Sequence, residues 1–371
     1  MHASQNAVNS ATTRRGFLRT GLAAAAGGLA SAASARFATR RRSIPLGFDN
    51  FAVRACGWNA RALVDHAETL LCDSLFITDF GPFEGKLDDA SLGEIRRYAA
   101  DRGVAIVLGS WSICPTSVTF KNDYGTAEEH LATGIRMASA LGSPAFRVIL
   151  GKGDDRQSEG GIAARIADTV AVLKSCRGRA IDAGVRIAVE NHAGDMTSRE
   201  LAGLVEAAGD DFVGVNFDSG NACWTLEDPV RALENLAGHV VTTSLRDTMV
   251  WETPEGITAQ WTAMGEGCTD LVAFFDLFEK TCPRLAVHIE TISGFPRAFP
   301  IYQREFWKAF PDERAEDLAA FLALAKRGRP LEPFRSPAGA GKLAAERAYQ
   351  LAELDRSITY CRDTLGLGLR G

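Results

Sequence analysis

The 371-residue sequence withholds several of the features that place a chain at a glance. Its eight cysteines form no Cys-x-x-Cys pair, and neighbouring ones stand at least 14 residues apart. That spacing excludes a zinc ribbon and a dense disulfide scaffold, and leaves buried thiols with at most one or two disulfides. There is no excess of positive charge: 41 Lys and Arg stand against 46 Asp and Glu, a net charge of -5. A basic surface for nucleic acid is therefore not expected. No Gly-x-Gly-x-x-Gly turn follows the first strand signal at 44–49, which argues against an open dinucleotide-binding sheet. Beyond residue 35 no run of 18 uncharged apolar residues occurs, so no later membrane span is expected. What is present is globular in character, with 46% hydrophobic and 23% charged residues.

The first 35 residues read as an export signal. Arg14-Arg15 precede Phe17-Leu18, a Gly/Ala-rich apolar stretch follows, and Ala33-Ser34-Ala35 offers a small-residue cleavage site. The paired arginines resemble a twin-arginine signal, a route that exports folded proteins. Cleavage removes Arg14, Arg15 and Arg19 and no acid, which takes the net charge to -8. A periplasmic or extracellular protein is expected, whose partners besides the export machinery are small molecules, not nucleic acid or membrane.

Eight β-rich runs recur after that, at 44–49, 74–79, 105–110, 146–151, 185–191, 212–218, 240–247 and 285–291. Their starts are 27 to 45 residues apart, room for one strand, one crossover helix and two loops each. Most runs are apolar on both faces, as strands buried between a core and covering helices should be. Helix starts fall between them: Asn59 as a cap, the capping box Thr197-x-x-Glu200, and Thr225-x-x-Asp228 before Pro229. The fold expected is α/β, a (β/α)8 barrel over 36–296 with a helical C-terminal extension, 297–371, packed on it. A long segment, 248–269, leaves strand seven and carries Trp251 and Trp261. It or the extension would cover the pocket or supply a homodimer contact.

Polar residues gather at the C-terminal ends of the strands, the active-site face of such a barrel. Glu190, Asp218 and Glu290 end strands five, six and eight. Three converging carboxylates repel one another unless a cation neutralises them or some hold protons. Hard oxygen donors of this kind suit Mn²⁺ or Mg²⁺.

The segment 186–247, with its "AVENHAGD", "VNFDSGNA" and "SLRD" motifs, and the later "GEG…HIET" resemble the xylose-isomerase-like TIM barrels. These include ketose 3-epimerases and inosose or dehydroshikimate dehydratases, and the resemblance covers about 44–295. It implies a divalent metal held by Glu190, Asp218 and Glu290, with both glutamates also moving protons. The family pattern His-Leu-Lys-Asp on strand seven is here Ser244-Leu245-Arg246-Asp247, so Ser244 stands where the metal-binding histidine is expected. His288, on the inward face of strand eight two residues before Glu290, is a further inward histidine. His192, Arg246, Lys152 and Asn221 are expected to meet substrate, Arg246 as a fixed guanidinium for a carboxylate or oxyanion. Five tryptophans, 58, 111, 224, 251 and 261, are candidates to stack on sugar rings.

The activity this implies is proton abstraction α to a carbonyl of a sugar or keto-sugar, with a metal-stabilised enediolate. Export makes a phosphorylated substrate unexpected. A β-elimination on an oxidised sugar or glycoside shares the first step. A decayed barrel that only binds carbohydrate is the reading from a different class. Multi-zinc endonucleases of the same fold need more histidines than these strands supply.

Overall fold

The computed structural model describes residues 40–370, so the proposed export segment lies outside the described residues. The β-rich runs become strands: β1 (Leu46–Asp49), β2 (Ser74–Ile77), β3 (Ala105–Ser112), β4 (Ala145–Ile149), β5 (Arg186–Glu190), β6 (Val213–Asp218) and β7 (Val240–Ser244). Two further strands, β8 (Asp247–Thr253) and β9 (Gly256–Thr262), form a hairpin before the eighth barrel strand, β10 (Val287–Ile289). A short β11 (Arg297–Phe299) follows.

Every neighbouring pair from β10 through β1 to β7 is parallel. Leu245 closes the ring. Its N–H donates to the His288 carbonyl at 2.7 Å, and its carbonyl accepts from the Glu290 N–H at 2.9 Å. The structure is thus a nearly closed parallel (β/α)8 barrel with a C-terminal helix, Lys342–Asp363.

The helices begin where the side chains dictate. Asn59 accepts from the Ala62 N–H at 3.1 Å and starts Ala60–Thr69. Thr197 and Glu200 form the expected reciprocal box, and a second box, Thr126 with Glu129, starts Ala127–Leu141. At the third start the cap is Asp228 alone, accepting from Val230. Thr225 instead donates to Glu227 at 3.0 Å, because that carboxylate is buried and needs donors. The outer helices press closely on the strands. A Cβ at Gly134 would stand 1.9 Å from the Phe146 ring, so a glycine lets this helix reach β4. Burying Phe146 stabilises by roughly 1.5–3 kcal/mol, and Gly134→Ala would force the two elements apart.

The segment after strand seven is not a loose loop. β8, β9 and β11 make an antiparallel sheet. Asp247 ties its base, accepting from the N–H groups of Thr248 at 2.7 Å, Gly267 at 2.9 Å and Gly265 at 3.2 Å. Strand seven therefore ends at Ser244, earlier than the run 240–247 suggested, because Asp247 belongs to the next sheet. The apolar underside of this sheet, Val250, Ile257, Ala259 and Phe299, packs with Phe321 and Leu324 of the helix Ala315–Ala325. The C-terminal helix adds Leu354, Ile358 and Cys361 to the main core. All eight cysteines are free thiols, and six are buried. No helix among the described residues is long and apolar enough to cross a membrane.

Candidate active site

Parallel strands that end together place their last inward residues around one mouth. Glu190, Asp218 and Glu290 meet there, with one carboxylate oxygen from each within 4.8 Å of the others. All three are buried, and the set is able to coordinate a cation. Asp218 is fixed by its own turn, its Oδ1 accepting from the N–H groups of Gly220 at 2.8 Å and Asn221 at 2.9 Å. The Asn191 amide pairs with the Asp218 backbone at 2.8 and 2.9 Å and locks the ends of β5 and β6 together.

The cluster also meets two guanidinium groups. Arg246 Nη2 donates to Asp218 Oδ2 and, at 2.6 Å, to Glu290 Oε2. Arg147 Nε donates to Glu190 Oε2 at 2.5 Å. Glu190 further accepts from Asn216 at 2.9 Å and from Asn221 at 3.1 Å, so both its oxygens are engaged. Ser244 is fully buried, and its Oγ accepts from Asn216 Nδ2 at 3.2 Å. The arrangement offers an ion three carboxylates and no imidazole. An ion shared by Asp218 and Glu290 would also have to displace Arg246 Nη2.

A fourth acid, Asp49 at the end of β1, lies in the same field. Four buried carboxylates face two guanidinium groups, so all four cannot be ionised cheaply. Burial, reinforced by Glu290, raises Asp49 well above the ordinary carboxylate range. Burial raises Asp218 to about 8 against the pull of Arg246, with Glu290 and Glu190 adding to the rise. Glu290 is raised too, chiefly by burial, although Arg246 opposes it. Burial disfavours a charged Arg246, but Asp218, Glu290 and Glu190 outweigh it and hold the proton more firmly than usual.

Above the cluster opens a cavity of about 350 Å³. Glu290, Arg246, Arg147, Asn221 and His192 line it, with Trp111, Trp224, Trp261 and Phe295 as its apolar wall. Trp224 and Trp261 are stacked with ring centres 4.0 Å apart. His192 Nδ1 lies 2.6 Å from the Gly151 carbonyl. A carbonyl only accepts, so Nδ1 carries the proton and Nε2 of the neutral ring has a lone pair. Burial lowers the pKa of His192 and favours that neutral form.

Several expected contacts are absent. Lys152 is half exposed and pairs with Asp154 at 2.7 Å, because the turn after β4 carries it outward. His288 lies deeper in the barrel, its Nε2 2.8 Å from Ser74 Oγ and its Nδ1 3.2 Å from the Thr243 carbonyl. Burial lowers its pKa to about 4, and it is a neutral core residue. Trp251 is buried in the hairpin opposite Thr258, and Trp58 packs on His66 at 4.8 Å. Neither lines the cavity. Arg147, Asp49 and Asn216 escaped the sequence reading. The signal for Arg147 was an arginine inside the apolar run Ala145–Ile149, which demands a buried partner.

Comparison with known proteins follows the same lines. A family model described as a xylose isomerase-like TIM barrel matches residues 64–298. No curated protein sequence matches. Among solved structures, a xylose isomerase domain protein from Planctomyces limnophilus shares 16% identity over 77% of this chain and 98% of that one, with a TM-score of 0.51. D-psicose 3-epimerase from Clostridium cellulolyticum H10, solved with D-tagatose, shares 13% over 85% of this chain and 98% of that one, TM-score 0.52. A probable 3-DHS dehydratase from Bacillus anthracis shares 10% over 66% and 92%, TM-score 0.52. At such identities the likeness is one of fold.

Proposed function

Because the chain belongs to the xylose isomerase-like TIM barrel family, we propose that it is an exported isomerase or epimerase that removes a proton next to a carbonyl of a non-phosphorylated sugar. The observation that carries this reading is Glu290. It is a buried carboxylate held by a guanidinium, on the wall of a cavity it shares with His192 and three tryptophans. A sugar ring is flat enough on one face to lie against indole, and its hydroxyls suit the polar floor.

Glu290 takes the proton from carbon, and the bonding pair moves onto the carbonyl oxygen. Returning a proton to the other face gives the epimer; returning it to the former carbonyl carbon, with the hydroxyl proton passing between the two oxygens, gives the isomer. His192 Nε2 is the second group in the cavity able to accept and give a proton. Glu190, the other acid/base that the resemblance implies, instead holds Arg147, Asn216 and Asn221 in place. The negative oxygen needs a positive partner. A divalent ion on Glu190, Asp218 and Glu290, Mn²⁺ or Mg²⁺ by its oxygen donors, would supply Lewis acidity there. The guanidinium of Arg246 supplies positive charge at the same place.

One feature favours elimination as a second reading. A neighbouring cleft of about 480 Å³ shares Arg54, Ile292 and Phe295 with the cavity, space for a leaving group. The test is product analysis. Incubation with free ketoses and oxidised glycosides in D₂O, followed by NMR, should give deuterium at the carbon beside the carbonyl. A new stereocentre marks epimerisation, and an enone marks elimination. Binding with neither deuterium incorporation nor an enone from any substrate would leave a carbohydrate-binding protein.

A further inference from the structure

We propose that Arg246, and not a divalent cation, is the resident positive charge of this centre, placed to receive the oxygen that turns negative during proton abstraction. The role in catalysis rests on the function proposed above; the identity of the resident charge does not.

Arg246 sits in a place built for it. Its Nη2 bridges Asp218 and Glu290, two of the three carboxylates. Its guanidinium lies 4.3 Å over the ring of Trp261, whose Nε1–H donates to the Gly220 carbonyl at 3.0 Å. Gly220 leaves the room: a Cβ there would stand 2.3 Å from Arg246 Cγ. Ser219 pins the backbone on both sides, donating to the Arg246 carbonyl at 2.5 Å and accepting from its N–H at 3.1 Å. Backbone, aliphatic stem and charged head are thus each held by a different neighbour. A side chain that merely strayed into an ion's place would have no such cradle.

The rest of the centre agrees. Ser244 offers no imidazole, and its hydroxyl is already bonded to Asn216. A divalent ion among the carboxylates would lie against a guanidinium that never loses its proton. Arg246 also keeps donors in reserve. Its Nε and Nη1 are buried without a hydrogen-bond partner, although the residue lines the cavity. Buried unpaired N–H groups are costly, and a small shift of the Arg246 head toward the cavity would let a carbonyl oxygen of the substrate beside Trp261 supply the acceptor they lack. When the C–H bond breaks, its proton goes to Glu290 and its electron pair to that oxygen. The N–H groups of Arg246 then hold a full negative charge and keep their own protons.

The test is metal binding by the full-length mature protein, read without substrate. Metal analysis of the protein as purified, without exposure to chelator, should find no stoichiometric Mn²⁺, Mg²⁺ or Zn²⁺. Millimolar Mn²⁺ should leave the unfolding temperature unchanged. The double variant Ser244→His/Arg246→Lys supplies an imidazole and withdraws the planar cation, and should gain stabilisation by Mn²⁺ that the parent lacks. Arg246→Lys alone should lower deuterium exchange about 10²- to 10³-fold, the loss typical of one oxyanion donor. A stoichiometric ion in the parent, whose removal lowers its unfolding temperature, would overturn the proposal. That parent measurement decides even if a variant fails to fold. Absence of both deuterium exchange and elimination would remove the catalytic reading and leave the metal result standing.

Discussion

Arg147 and Arg246 answer the same carboxylates and are used differently. Arg147 comes from inside β4 and gives two of its three nitrogens to the protein: Nε to Glu190 at 2.5 Å and Nη1 to the Ser110 carbonyl at 2.8 Å. Arg246 follows β7, crowds its carboxylate contacts onto Nη2 and leaves Nε and Nη1 without partners. A guanidinium tied to its protein through both Nε and Nη1 neutralises charge and holds shape. One with unspent donors beside an aromatic wall is prepared for a ligand. The same contrast separates the two glutamates, Glu190 with both oxygens engaged and Glu290 on the cavity wall.

That contrast sets the order of the expected effects. Arg147→Met should act on stability, leaving Glu190 buried without its counter-charge at a cost of about 3–5 kcal/mol by chemical denaturation. Adding Glu190→Gln should recover part of the loss, and an additive pair would contradict the coupling. Arg246→Met also strips buried Asp218 and Glu290 of their counter-charge, and beyond that loss of stability should lower exchange about 10²- to 10³-fold, roughly 2.7–4 kcal/mol in the barrier. Equal effects of the two arginine variants on rate would erase the distinction between them. Trp261→Leu removes the surface under Arg246 and should weaken sugar binding and the site by about 0.5–2 kcal/mol, checked by calorimetry. Lys152→Ala should change neither exchange nor stability by more than about 0.5 kcal/mol, because its partner Asp154 is exposed. A larger loss would place Lys152 in the site after all.

Much of this was legible in the sequence, for identifiable reasons. Eight apolar runs at near-regular spacing have few folds open to them, and strand ends announce a barrel mouth. Glu190, Asp218 and Glu290 converge because parallel strands end at one mouth, Glu190 level with Asn216 and Asp218 two residues beyond. What stayed hidden depended on side-chain reach. Ser244 and Arg246 share a face of the chain by their spacing, but only the fold shows that the longer one arrives between Asp218 and Glu290. Lys152 looked equivalent to Arg246 as a basic residue beyond a strand end, yet its turn aims it at Asp154. The segment after strand seven read as a loop because its strands, β8 and β9, pair with each other and with β11, far along the chain. Asp49 was missed because one acid at the end of a short first strand carries no pattern of its own.

Whether Glu290 is the base is decided by deuterium incorporation in the parent protein and in Glu290→Gln, on whichever keto-sugar the parent labels. Glutamine keeps the shape of the wall and cannot take a proton. Exchange is expected to fall about 10²- to 10⁴-fold while the sugar still binds. Exchange that survives in Glu290→Gln at the parent rate would contradict that role.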